Sequence, residues 1–368
     1  MGASTRGWGS VAAANDVVYA TTLQGQVYAL NDLGADGVST RWISTLGADR
    51  GFHGAYNPPT VGRYLYIAGI DGFLYAFQPP AAGGPVEVVW RKPNIEAEEM
   101  TPLVGSPGLD EAGGIVAVGS EDGGLYAYNA LTGEELRWSP FRTEPSGEIW
   151  STPVLRNGVA YFGSQNGTVY AVDLTTGAEK WRFETGGAIV ARPLIFNNLL
   201  IVGSFDRQLY ALGLNDGQPR WQHQAANWWW ATPVASERTI FAPSMDGKVY
   251  ALDANGTLLW AYDVGAPIVA NPILLERGLV VGTVEGKLAV LRASVSDHGP
   301  AQEIASLTVG DAEIKAPLVI ARNMSAGIAD PPDSVYIGSD DGKVRRIQVR
   351  SGINIMWCYD TSENTRCN

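Results

Sequence analysis

Residues 160–181 read AYFGSQNGTVYAVDLTTGAEKW. Apolar and aromatic side chains alternate on both sides of Asn166-Gly167, the period-two pattern of strands. An Asn-Gly pair between two such runs is the strongest short-range hairpin signal, and it predicts a tight primed turn with positive φ at both residues. The stretch therefore reads as strand, turn, strand, a Thr176-Gly177 turn, and a further strand carrying Trp181.

Working outward, the pattern recurs along all 368 residues. Its eight turns are Gln24-Gly25, Asp71-Gly72, Asp122-Gly123, Asn166-Gly167, Asp206-Arg207, Asp246-Gly247, Glu285-Gly286 and Asp341-Gly342. A period of roughly 40–50 residues is that of propeller blades. The fold class is all-β: an eight-bladed β-propeller of four-stranded antiparallel blades, one domain over 1–368. The blades cover about 7–47, 56–93, 101–142, 150–186, 190–226, 230–265, 269–310 and 314–360. With four strands in every blade, the first and last would meet by packing face to face, strand exchange being the alternative. Arg207 replaces the turn glycine and should be strained there. Blade seven has Ala289 where the others carry Tyr, and in blade eight Arg345 and Arg346 stand where Tyr-Ala is expected.

Seven tryptophans close the repeats: Trp42, Trp90, Trp138, Trp181, Trp221, Trp260 and Trp357. They are read as structural wedges between blades, each with an indole N–H that needs a partner. Blade seven has Ala305 at this position, which predicts its weakest joint. The pairs Trp90–Pro102, Trp181–Pro193, Trp221–Pro233 and Trp260–Pro272 share one spacing, which suggests one link geometry between blades.

The stretch Ala171-Val-Asp173-Leu-Thr-Thr176-Gly177-Ala-Glu-Lys-Trp181 resembles the tryptophan-docking motif of the PQQ-like (quinoprotein) β-propeller repeat family. Ala211 to Trp221 matches with two substitutions, Ala251 to Trp260 is one residue short, and Ala127 to Trp138 one long. The resemblance implies that each tryptophan stacks on a peptide of the adjacent blade. Dehydrogenases of this family hold pyrroloquinoline quinone and calcium in the central funnel, with an Asp-x-Asp pair and often adjacent cysteines. This chain has neither. It is more similar to the family's non-catalytic branch, which includes the B lipoprotein of the outer-membrane β-barrel assembly machinery.

That branch implies a protein-binding scaffold with no cofactor. A quinone-dependent alcohol or sugar dehydrogenase and a small-ligand sensor are the alternatives. Glu96 and Glu98 form the nearest acidic pair, and His53, His223 and His298 lie in different blades without metal-ligand spacing. No catalytic or metal residue is assigned.

Net charge is -12, which opposes a nucleic-acid partner and an anionic membrane surface. No apolar run reaches the roughly 18 residues of a membrane-spanning helix. The expected state is a monomer, periplasmic or extracellular with its leader absent, or alternatively cytoplasmic. Cys358 and Cys367 are candidates for a disulfide, with two free thiols as the other reading.

The candidate ligand site is the funnel rim, where links enter the inner strands. Trp8, Trp150 and Trp230 are equivalent by repeat, with Glu99 in the same place in blade three. Ser10, Asn57, Thr152, Arg192, Thr232 and Asn271 precede the strands; in blade eight that position is Ala316, and Lys315 beside it is the candidate. Aromatic walls with convergent polar groups suit a small molecule; indoles wedging the blades apart are the structural reading of the same residues.

Overall fold

The computed structural model describes residues 10–14, 16–44, 54–79, 86–92, 101–292, 301–309, 313–321, 334–349 and 352–367. The Glu96–Glu98 pair, His53 and His298 lie outside these, as do Trp8 and Glu99. Eight sheets follow one another along the chain, each with its strands hydrogen-bonded in sequence order. Seven have four strands and the last has five. All neighbours are antiparallel: in blade four Val154 faces Tyr161, Ala160 faces Val172, and Ala171 faces Trp181. This is an eight-bladed propeller, with a single 3-10 turn at Gly34–Asp36 among the described residues.

Each strand alternates its side chains between two faces, so every sheet feeds two joints. Val169, Ala171 and Trp181 of blade four pack with Leu200, Val202 and Leu212 of blade five. Tyr170 and Val172, facing the other way, pack with Ala117, Leu125 and Ala127 of blade three. The core is thus distributed between blades.

Docking of the tryptophans is visible atom by atom. The indole N–H groups of Trp138, Trp181 and Trp221 donate to the carbonyls of Leu174, Leu214 and Ala254 in the following blades, at 2.9, 3.2 and 2.9 Å. Each ring covers a glycine of the same turn. A Cβ on Gly177, Gly217 or Gly256 would lie 2.5–2.6 Å from the nearest indole atom of Trp138, Trp181 or Trp221. At the blade-seven joint, Ala305 packs instead in a wholly aliphatic cluster with Val290, Ile337 and Ile347.

The central turns differ from expectation. Only the glycine has positive φ (84° at Gly167), and Asn166 does not. Ser164 N–H bonds Thr168 O and Gly167 N–H bonds Ser164 O, a longer loop in which the Asn side chain accepts from Thr168 N–H at 2.9 Å. The two-residue turn with both φ positive occurs between the first two strands, at Asn157 (51°) and Gly158 (73°). Arg207 does adopt the glycine conformation, at φ 74°.

The turn carboxylates also hold the following strand. The phenols of Tyr75, Tyr126, Tyr210 and Tyr250 donate to Asp71, Asp122, Asp206 and Asp246 at 2.6–2.7 Å. In blade eight the Arg345 guanidinium replaces the phenol and pairs with Asp341. That is how an arginine occupies a Tyr position in a buried strand.

Blade one keeps all four of its own strands, so the ring closes by packing rather than by exchange. Tyr28 OH donates to Thr361 O at 2.8 Å, and the Thr40 and Tyr359 hydroxyls are 2.8 Å apart. Cys358 and Cys367 are joined as a disulfide. It fastens the extra fifth strand, Thr365–Arg366, from which Arg366 reaches Val38 O of blade one at 2.7 Å.

Candidate functional site

Turns between the second and third strands share one end of the ring with the links between blades; the remaining turns occupy the other. At the link end a central channel opens, with a volume of about 1070 Å³. Among the described residues it is lined by Trp150, Val190, Arg192, Trp230, Val269 and Lys315, with Tyr56 and Glu121.

Three links take a different register from the one their prolines suggest. Pro59 and Pro107, not Pro58 and Pro102, hold the place of Pro153, because Thr60 faces Tyr66 and Gly108 faces Ala117 as Val154 faces Tyr161. Leu103 N–H bonds Gly69 O, as Ile149 N–H bonds Ser120 O. Pro102 therefore lies in an inserted approach, and its distance from Trp90 is a coincidence of length. In blade eight Leu318 takes the proline's place, since Val319 faces Tyr336. Tyr56, Val104 and Lys315 thereby stand where Trp150 stands.

Most polar residues expected at the rim are engaged between blades. Asn57 donates to Val104 O, and Ser10 Oγ to Tyr56 O at 2.8 Å. Thr152 Oγ1 accepts from Ser106 N–H at 3.1 Å, and Asn271 Oδ1 from Thr232 N–H at 2.7 Å. Thr60 and Ser106, which the repeat pattern did not single out, bond Pro107 O and Pro58 O at 2.6 and 2.8 Å. These contacts satisfy backbone groups that the close packing of inner strands hides from bulk water. Lys315 pairs with Glu313.

Arg192 departs from this pattern. It lines the channel and makes no hydrogen bond or ion pair with any described residue. Its side chain is wetted by the channel, yet the surrounding protein pushes its pKa below the ordinary arginine value by desolvation. A guanidinium remains charged under such a shift.

The three consecutive tryptophans diverge. Trp229 is fully buried and donates to Arg207 O at 2.9 Å, a wedge between blades. Trp228 is 42% exposed. Its ring stacks on Phe205 at 4.6 Å and 7°, and Phe205 also stacks with Trp230 at 5.4 Å and 24°. Trp230 thus joins an exposed aromatic surface to the channel wall. Met245 N–H bonds Trp228 O at 2.9 Å, which ties this link to the central turn of blade six. Across the channel the Glu121 carboxyl, beside Trp150, is raised above the ordinary range by burial and by Glu148.

No group of three His, Cys, Asp or Glu side chains among the described residues could hold a metal ion. The described lining carboxylates, Asp110, Glu111 and Glu121, do not converge, so this donor set does not fit a calcium-bound quinone. His223 lies edge-on to Tyr250 at 5.2 Å, and burial lowers its pKa. No helix among the described residues is long and apolar enough to cross a membrane.

A ring of eight sheets, stapled by indoles on glycine turns around a central channel whose described lining lacks a converging carboxylate set, defines a PQQ-like propeller. The chain belongs to the family described as outer membrane protein assembly factor BamB, whose sequence profile matches residues 2–161 and 165–366. Curated relatives include BamB of Burkholderia pseudomallei, 27% identical over 142 residues (39% of this chain, 32% of that protein). BamB of Yersinia pestis is 27% identical over 146 residues (38% and 35%). The aligned region spans about a third of the length of these relatives. Among solved structures, Moraxella catarrhalis BamB superposes with a TM-score of 0.60 at 18% identity, over 76% of this chain and 82% of that one. The designed protein Ika8 gives 0.73 at 17% identity, over 94% and 97%, a likeness of fold alone.

Proposed function

We propose that this protein is a non-enzymatic scaffold of the bacterial envelope, holding a protein partner in outer-membrane protein assembly through the link end of its ring. The observation that carries this reading is the Trp228–Phe205–Trp230 stack, which leaves a large indole exposed at 42%. Exposed aromatics set in a rigid frame are typical anchors of protein interfaces. Membership of the assembly-factor family supports the partner class. The engaged rim polar groups and the donor set that does not fit a calcium-bound quinone support a binding role over a redox one.

Site-specific photo-crosslinking in envelope-derived membranes tests it. A crosslinker at position 228 should trap a discrete protein adduct, whereas one at Leu131, 50% exposed at the opposite end of the ring, should not. Equal labelling from both positions, or none from 228, would refute the assignment. Dye-linked oxidation of alcohols or sugars after addition of pyrroloquinoline quinone and calcium would point to the dehydrogenase instead.

A further inference from the structure

Blade five differs from its neighbours at two rim positions at once. Where blades four and six carry Trp150 and Trp230, it carries Val190; where they carry Thr152 and Thr232, it carries Arg192. All six line the channel. Exchanging an indole for an isopropyl group opens space between the two flanking indoles. Exchanging a hydroxyl for a guanidinium places a fixed cation in that space. Arg192 makes no contact with a described carboxylate; Asp110, Glu111 and Glu121 line the channel from blade three.

We infer that this notch binds an aromatic carboxylate. The carboxylate would be received by the Arg192 guanidinium, whose planar fork matches two oxygens. The ring would lie over the space Val190 leaves, against Trp150 or Trp230. The chain's net charge of -12 disfavours polyanions, which limits the ligand to one or a few negative groups. The ligand has two possible sources: a free aromatic acid, or the last residue of a polypeptide ending in an aromatic side chain. The notch can be occupied whether or not a partner docks on Trp228, so it is tested apart from the scaffold reading.

Isothermal titration calorimetry of the full chain distinguishes these sources. The probes are 3-phenylpropionate, an acetylated Gly-Gly-Phe peptide as free acid, the same peptide as C-terminal amide, and acetate. At least one aromatic acid should bind about tenfold or more tightly than the amide and acetate. Binding of phenylpropionate alone identifies a free acid, and binding of the peptide acid alone identifies a chain end. Arg192→Gln should weaken that acid by a similar factor. Val190→Trp, which refills the notch with the residue its neighbours use, should abolish binding while keeping the cation; it also serves if Arg192→Gln does not fold. Equal affinity for acid and amide, undiminished binding in folded Arg192→Gln or Val190→Trp, or no millimolar binding of any probe would overturn the inference.

Discussion

The indole N–H of Trp357 donates to Oδ1 of Asp32 at 3.0 Å, across the joint between the last blade and the first. The docking indoles of Trp90, Trp138, Trp181 and Trp221 meet backbone carbonyls, and that of Trp42 meets no described acceptor; here the indole meets a carboxylate that also receives the Tyr336 hydroxyl and the Arg346 guanidinium, the latter at 2.9 Å. Asp32 and Arg346 have side-chain exposures of 2% and 12%.

Removing one member of such a buried set leaves the others unpaired, at a cost of about 3–5 kcal/mol. Asp32→Ala should therefore lower the denaturant midpoint sharply, and Asp32→Asn less, because the amide oxygen can still accept. A midpoint within error of wild type for Asp32→Ala would show that the joint does not depend on this carboxylate.

Gly177 has φ 73° and no room for a Cβ, which would lie 2.4 Å from Trp138. Gly177→Ala should lose about 1–3 kcal/mol from backbone strain alone, with displacement of the indole added to it. Thermal melts and tryptophan fluorescence measure both effects. An unchanged emission spectrum would mean that Trp138 keeps its seat.

Arg207 holds the same backbone conformation as seven turn glycines, at φ 74°. Its carbonyl, not its side chain, accepts from Trp229, so Arg207→Gly keeps that bond. The substitution should stabilise the chain by about 1 kcal/mol, read as a higher midpoint at constant denaturant slope. A loss of stability would show that the arginine side chain makes a compensating contact.

Tyr28, Tyr66 and Tyr126 are pushed up to about 12, chiefly by burial, with Tyr126 raised further by its bond to Asp122. The neutral phenol is favoured by folding, so its stabilisation is complete below the ordinary value of 10.0 and is lost as pH rises through about 12. A tyrosinate absorbance titration should show these side chains ionising together with the loss of β-sheet circular dichroism. If all 15 tyrosines titrate near 10 with the sheet intact, burial is not holding them neutral.

Blade count, hairpins and docking tryptophans were legible because each is encoded within one repeat: Ala171 and Trp181 pair within one sheet, as do Arg346 and Trp357. The links were less legible. Their register depends on bonds between distant residues, such as Leu103 N–H to Gly69 O, and chain spacing near Pro102 does not report an insertion. Three adjacent tryptophans in an irregular link look like one cluster in sequence, yet the backbone directs Trp229 inward and leaves Trp228 outside. Thr152 and Asn271 read as ligand groups because hydrogen bonds to a neighbouring blade leave no mark on composition. Arg192 stood in the same row, and only its lack of a described partner separates it from the others.

The self-contained first blade carries an evolutionary corollary. Since no sheet among the described residues borrows a strand from the far end of the polypeptide, any link could in principle serve as a starting point after the present ends are spliced. Duplication and rotation of whole blades would then leave every hydrogen-bonded ladder intact, a freedom denied to rings sealed by a shared strand.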